Sequence, residues 1–456
     1  MSKQTISGSS DEKLDFKVIL PIFVIVLVDL LGLTVIIPLL PIYAASFGAN
    51  AFVIGLLGAS YPLMQFIGAP ILGRLSDRFG RRPVLIVSQI GTFTGFILLG
   101  FANSLALLFL SRLIDGISGA NIATAQAVIT DRTTEKTRTQ GLGLIGAAFG
   151  LGFIVGPLIA FVVLGLSGGN YPLVAFVAAV FSFISILLTV FWLEESLPEN
   201  QRGQNGVGKK VSVGPAAMIQ ALRTPLVGLL LILMFAQQFA FGGFEQLLAL
   251  FTLNRLGMNA SSNAALFVYV GVIIVAVQGY FIGKWSRRFG ERLLVLSGLL
   301  LLGVALSLTA VTPSVTVPWY SETNLVAELS QQTTESNIQI DLPAENNGWL
   351  GLLWILVALF PASIGGGILQ PSINSLLTKL VAMDEVGGIL GVSTGFYSLA
   401  TALAPVILGA MFEQFGSTAP FLLGGALLLV LWLVAWRTLP VGIAKKGDGS
   451  PSVPIH

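Results

Sequence analysis

Apolar residues in this chain run on for twenty or more positions and then stop at short polar segments; they do not alternate. A helix needs ~20 mostly apolar residues to cross the hydrocarbon core of a bilayer. Twelve runs qualify, near 18–43, 50–72, 84–102, 105–130, 141–165, 172–193, 225–253, 262–283, 293–312, 348–376, 387–411 and 419–436. A membrane β-barrel would instead show alternating segments of ~10 residues. The pattern predicts an all-α integral membrane protein with twelve transmembrane helices. Lys3, Lys13 and Lys17 precede the first run, but that run contains Asp29 and extends to Pro41. It is too long for the roughly 7–15-residue apolar core of a signal peptide, so it reads as a retained span.

The polar segments give the orientation and the internal symmetry. Of the 24 Lys and Arg residues, 22 fall on the side that carries both termini; Arg255 lies on the other side and Arg112 inside a span. Positive charge marks the cytoplasmic side, so both termini are expected there, in a plasma-membrane protein. The external segment 313–347 holds five acids (Glu322, Glu328, Glu335, Asp341 and Glu345) and no base. The longest inner segment, rich in Gly, Asn, Gln and Lys, reads as a flexible linker. The expected organisation is a six-helix bundle over 1–193, a linker over 194–223, a second bundle over 224–440 and a tail over 441–456. The two halves echo each other. GRLSDRFGRR, Gly73 to Arg82, and GKWSRRFGER, Gly283 to Arg292, are identical at six of ten positions. Six helices per copy leave both copies in the same orientation, so the repeats are parallel, an arrangement that places a binding site between the halves near the midplane.

Composition narrows the function. The chain is 54% hydrophobic and only 10% charged, with a mean hydropathy of +0.87, against roughly 25% charge in soluble domains. The net charge of +2 and the lack of a basic stripe give no nucleic-acid footprint. There is no cysteine, and the one histidine is His456. Thiol chemistry, histidine metal sites and histidine proton relays inside the membrane are thereby excluded. No P-loop and no metal-ligand cluster is visible, so neither an enzyme nor an ATP-driven pump is expected, and no cofactor.

Four strongly ionisable side chains remain inside the spans: Asp29, Arg112, Asp115 and Glu245. Each costs ~2.5–3.5 kcal/mol near a helix centre, so each needs a partner or a watery cavity. Arg112 and Asp115, three residues apart, share a helix face, which continues through Gly119, Ala123 and Gln126. Helix 7 has a similar stripe of Gln238, Gly242, Glu245 and Ala249. Arg112 neutralises one carboxylate. The others are the candidates to gain and lose a proton, Asp29 first and Asp115 next, with Glu245 suited equally to a cationic substrate. Gln65, Gln126, Gln238, Gln246, Gln278, Gln370, Asn374 and Tyr397 are candidate cavity residues. In the loop after span 2, Gly73 and Gly80 suit tight turning. Asp77 suits a helix N-terminus, and Arg78, Arg81 and Arg82 suit neighbouring acids such as Asp131.

The loop Gly73–Arg82 resembles the signature loop of the major facilitator superfamily. Arg112 in LSRLIDGISGA resembles its helix-4 arginine motif. Phe149 to Pro157 (FGLGFIVGP) resembles the antiporter motif, with Gly152, Gly156 and Pro157 as its carriers. Asp29, with Pro38 and Pro41, resembles helix 1 of the drug–proton antiporter branch, and the chain as a whole is similar to the tetracycline efflux proteins of that branch. Helix 3 here, SQIGTFTGFILLG, lacks the acid that tetracycline pumps carry, and Asp115 is an addition. The resemblance implies a functional monomer that exchanges protons for a small amphipathic or cationic compound by alternating access. It makes Gly73–Arg82 a gating loop and Gly156-Pro157 a kink that limits leak. The alternative is a proton-coupled metabolite symporter or facilitator of the same fold.

Overall fold

The computed structural model describes residues 15–133, 138–202, 215–330, 342–381 and 386–440. The middle of the expected linker, 203–214, and all of the tail fall outside these residues. Each apolar run becomes a helix or a pair of helices: α1 (Phe16–Ile36), α2 (Leu40–Ser46), α3 (Ala51–Phe79), α4 (Arg81–Gly100), α5 (Leu105–Ser118), α6 (Asn121–Asp131), α7 (Arg138–Ser167) and α8 (Tyr171–Phe191) in the first half. A short α9 (Pro215–Leu222) leads into the second half. There follow α10 (Pro225–Leu256), α11 (Ala260–Ala276), α12 (Ile282–Ala310), α13 (Glu322–Ser330), α14 (Leu350–Leu380), α15 (Val386–Phe415) and α16 (Ala419–Thr438).

Eleven helical segments are long and apolar enough to cross a membrane. One of them, Ala260–Ala310, has 51 residues, about 75 Å at 1.5 Å per residue and more than twice the hydrocarbon thickness. It holds two spans. They part at Gly290, whose φ of 75° and ψ of 157° are not helical, and this restores the twelve expected spans. The equivalent Gly80 has φ 100° and ψ 155°, so both copies of the repeat break the chain at the same place in the same way.

Local chemistry explains where the helices start and stop. Asn50, Asn170 and Asn259 begin α3, α8 and α11, each accepting from a backbone N–H three residues on at 3.0 Å. Such caps contribute about 1 kcal/mol each. Gly257, left-handed at φ 65°, ends α10. Gly257 N then donates to Leu253 O and Met258 N to Thr252 O, which satisfies two of the last carbonyls. Pro38 and Pro41 account for the interruption between α1 and α2.

Three expectations are corrected here. Span 4 is not one helix but α5 and α6. The carbonyls freed at the break are filled, Ser118 O by Ser88 Oγ and Gly119 O by Gln65 Nε2. The presumed loop Gly73–Arg82 is helical except at Gly80, since α3 runs to Phe79 and α4 starts at Arg81. The end of the linker is a helix, α9, with Met218 close to Gly395. The helix α7 runs on through Pro157. A Cβ on Gly156 would fall 2.1 Å from Thr34 Oγ1, so this glycine lets α1 and α7 touch.

The two halves meet through small residues. A Cβ on Gly55 of α3 would lie 2.0 Å from the Pro405 carbonyl of α15, and one on Gly271 of α11 would lie 2.5 Å from the Phe153 carbonyl of α7. Backbones this close need glycine. At the face away from the Lys/Arg-rich segments, Glu413 of α15 accepts from Ala51 N at 3.1 Å. Tyr171 of α8 donates to Glu328 of α13 at 3.2 Å. Toward the basic face, Gly73, Gly146 and Gly279 look onto open space.

Candidate functional site

The break between α5 and α6 organises the charges of the first half. Arg112 and Asp115 sit on the last turns of α5, each about 2% exposed in its side chain, with Nη1 3.0 Å from Oδ2. The contact is off the hydrogen-bonding axis, and Arg112 Nε and Nη2 have no hydrogen-bond partner among the described residues. The guanidinium also lies over the Phe96 ring at 5.5 Å. Gly95 is small enough for Asp115 to press against α4, where a Cβ would come within 2.9 Å of the Asp115 Cβ. The helix-3 segment without an acid thus provides the space in which the additional acid sits.

Beyond the break, Asn121 opens α6 and donates its amide to Asp29 Oδ2 at 2.9 Å. Asp29 Oδ1 is buried and accepts no hydrogen bond from the described residues. The N-terminus of α6 lies beside this carboxyl, a place whose partial positive charge suits an acid. Asn121 was not among the candidates read from the sequence. As a polar residue after Gly119-Ala120 it carried no pattern of its own until the helix was seen to break there.

In the second half Glu245 sits half-buried on α10 with no hydrogen bond or ion pair among the described residues. Tyr397 of α15 is close enough to feel its charge. Three ions of the expected network therefore lie together in the first half, and Glu245 stands apart in the other.

The polar cavity candidates divide. Gln65 is taken by Gly119 O, Gln238 donates to Thr401 at 3.1 Å, Gln278 donates to Gly367 O at 3.3 Å, and Asn374 accepts from Ser393 at 2.8 Å. These side chains stitch helices together. Gln246 packs against Gly58 of the other half, and Gln126 is exposed. Gln370 and Tyr397 remain half-buried, with no side-chain hydrogen bond described for either.

The gating segment also differs from expectation. Asp77 is paired with Arg81 at 2.6 Å rather than set against a helix N-terminus. Arg81, 7% exposed in its side chain, also binds Asp131 at 3.0 Å and Ser76 at 2.8 Å. The N-terminus of α4 is occupied instead by Glu195, which accepts from Arg81 N at 2.9 Å and Arg82 N at 3.2 Å. Arg82 donates to the last carbonyls of α8, Thr189 and Val190, and Arg78 lies over Phe79. All these partners belong to the first half or, for Glu195, to the start of the linker that follows it. On the opposite face, burial pushes the Glu328 carboxyl above its ordinary range, offset by hydrogen bonds from Asn259 and Tyr171.

A bundle with this repeat, helix break and buried charge set can be compared with known families. The family model of the Major Facilitator Superfamily matches residues 22–329 and 347–454. The chain belongs to that superfamily. It is 29% identical over 398 residues to the class B tetracycline resistance protein of Escherichia coli, covering 86% of this chain and 87% of that one. It is 28% identical over 386 residues to multidrug resistance protein 1 of Bacillus subtilis strain 168, covering 84% and 86%. Its fold matches the crystal structure of the human organic anion transporter MFSD10 (TETRAN) with a TM-score of 0.58 at 23% identity, covering 92% of this chain and 99% of that one. This superfamily member is a multi-pass membrane transporter of small molecules and not an enzyme.

Proposed function

We propose that the protein exports a small amphipathic or cationic compound in exchange for protons, with Asp29 as the proton carrier. The observation that carries this reading is the pairing in the first half. Arg112 is committed to Asp115 at 3.0 Å, which leaves Asp29 with one oxygen on Asn121 and the other without a partner. A lone carboxylate away from water is costly. Such a group is held most readily with a proton, and it can release that proton when its surroundings open to water. Asp115, with a permanent counter-ion, is the weaker candidate. Glu245, near Tyr397 and likewise without a counter-ion, is the carboxyl that a cationic substrate would meet in the second half, the bound cation then serving as its counter-ion. Efflux is supported by the tetracycline and multidrug resistance proteins among the relatives. The cytoplasmic placement of the basic face rests on the Lys/Arg bias.

The test is uptake of a cationic dye into inside-out proteoliposomes with an imposed pH gradient. Asp29→Asn should abolish accumulation against a gradient, at least tenfold below the parent, while dye exchange without a gradient persists. Gradient-driven accumulation at the parent rate would remove Asp29 from the role. Glu245→Gln should weaken binding of the cationic dye and leave a neutral compound of similar size unaffected.

A further inference from the structure

The acid-rich segment between α12 and α14 has no part in the scheme above. Its helix α13 lies across the seam between the halves on the face away from the basic loops. Leu325 and Leu329, 4% and 1% exposed, anchor it in the apolar core. Glu328, one position before Leu329, turns toward the first half. Its Oε1 accepts from the hydroxyl of Tyr171 at 3.2 Å, and its Oε2 accepts from the amide of Asn259, at the start of α11, at 2.9 Å. One carboxylate thus holds both halves. The chain opposite is shaped to receive it. Gly169, with a left-handed φ of 86°, leaves so little room that a Cβ there would lie 2.7 Å from the Glu328 Cγ. Tyr171 is fully buried and packs edge-on against Tyr43 at 5.6 Å, so its hydroxyl has little freedom to find another acceptor.

We propose that Glu328 on α13 is the positioning residue that holds the outer seam closed, and that its bond to Tyr171 must break each time the transporter opens to that side. The proposal rests on the transporter reading, since a carrier with a site between its halves must part them alternately on either face. It does not depend on Asp29 or on the identity of the substrate. The energetic requirement is modest. The two access states of a working carrier must lie close in free energy, and a hydrogen bond to a charged acceptor is strong enough to move such a balance by about tenfold or more.

The natural absence of cysteine allows a direct test. Spin labels at Leu166→Cys and Trp349→Cys, exposed positions on the two halves, report the distance across the outer seam by pulsed electron resonance in lipid nanodiscs. Glu328→Ala should raise the long-distance population about tenfold. Tyr171→Phe, which removes only the partner in the first half, should raise it similarly, and the double variant should add little to either. Glu328→Gln keeps the shape and one acceptor and should fall between. A distance distribution unchanged in both Glu328→Ala and Tyr171→Phe would overturn the proposal. This readout needs neither substrate nor pH gradient, so its failure is distinct from a failure of proton coupling. As a converse arm, a short thiol cross-linker should join Gly165→Cys to Ala327→Cys, which both line an outer cleft of about 420 Å³. The link should arrest dye efflux reversibly. Efflux at the unlinked rate would show that α13 need not leave the first half.

Discussion

The two copies of the repeat place a paired charge at the same point and give it opposite signs. In the first copy Arg81 follows the glycine break and binds Asp131 at the end of α6 at 3.0 Å. In the second copy Glu291 follows the break and binds Lys379 at the end of α14 at 2.6 Å. The serine five positions earlier serves both, Ser76 toward Arg81 and Ser286 toward Glu291. The arginine one place on is unchanged in position and work. Arg82 donates to the final carbonyls of α8, and Arg292 donates to Trp436 O and Leu439 O at the end of α16. An acid in place of an arginine does not weaken the second copy, because its partner has changed sign as well. What the geometry needs is an opposed pair between two helix ends. The helix C-terminus is different, because its dipole favours only a cation, and there the arginine is retained in both copies.

The strongest way to break this comparison is to impose the polarity of one copy on the other. Arg81→Glu alone sets three acids together in a poorly solvated corner and should cost about 2–4 kcal/mol, with a large fall in the unfolding temperature in detergent. Adding Asp131→Lys and Asp77→Arg reproduces the second copy and should recover most of the loss. Failure to recover would mean that the first copy needs arginine for its several donors rather than for its charge.

A smaller effect separates the two glycines. Both have positive φ, so Gly80→Ala and Gly290→Ala should each cost about 1–2 kcal/mol of backbone strain. The Cβ at Gly290 meets nothing, whereas that at Gly80 would lie 2.5 Å from Glu195 Oε2. Gly80→Ala should therefore also dislodge Glu195 from the start of α4 and lose about 1 kcal/mol more. Glu195→Gln in the Gly80→Ala background should then have little further effect on the unfolding temperature. Equal costs at the two glycines would mean that Glu195 shifts freely.

The smallest effect belongs to the positions where the two turns face solvent. Asp77 is 43% exposed in its side chain and Arg287 is exposed. Asp77→Asn and Arg287→Ala should each change stability by less than about 1 kcal/mol, the range of exposed ion pairs. A tenfold fall in dye turnover for Asp77→Asn at unchanged stability would show Asp77 acting across the halves in another state of the cycle.

Much of this architecture was legible in the chain. The runs and the Gly73/Gly283 repeat gave twelve spans, two halves and the turn glycines, because span length and backbone freedom are local properties. The intramembrane ions were legible because charges there are few and costly. Their partners were not. Asn121 is one polar residue among several on its helix, and only the break at Gly119-Ala120 brings it to Asp29. Four glutamine and asparagine side chains expected in the cavity proved to join helices, since a polar group at helical spacing looks the same whether it faces water or a neighbouring carbonyl.

The sequence alone determined that this protein crosses a membrane twelve times, carries four strongly ionisable side chains inside it and repeats one turn in each half. All of these follow from the cost of apolar surface in water and of charge in lipid, which each residue carries wherever it lies. The tertiary structure decided which ions are paired, which polar groups remain unpartnered, and which face of the bundle is sealed by Glu328 and Glu413. Those are relations between atoms up to several hundred positions apart. Their free energy depends on distances of a few ångströms that no local pattern encodes.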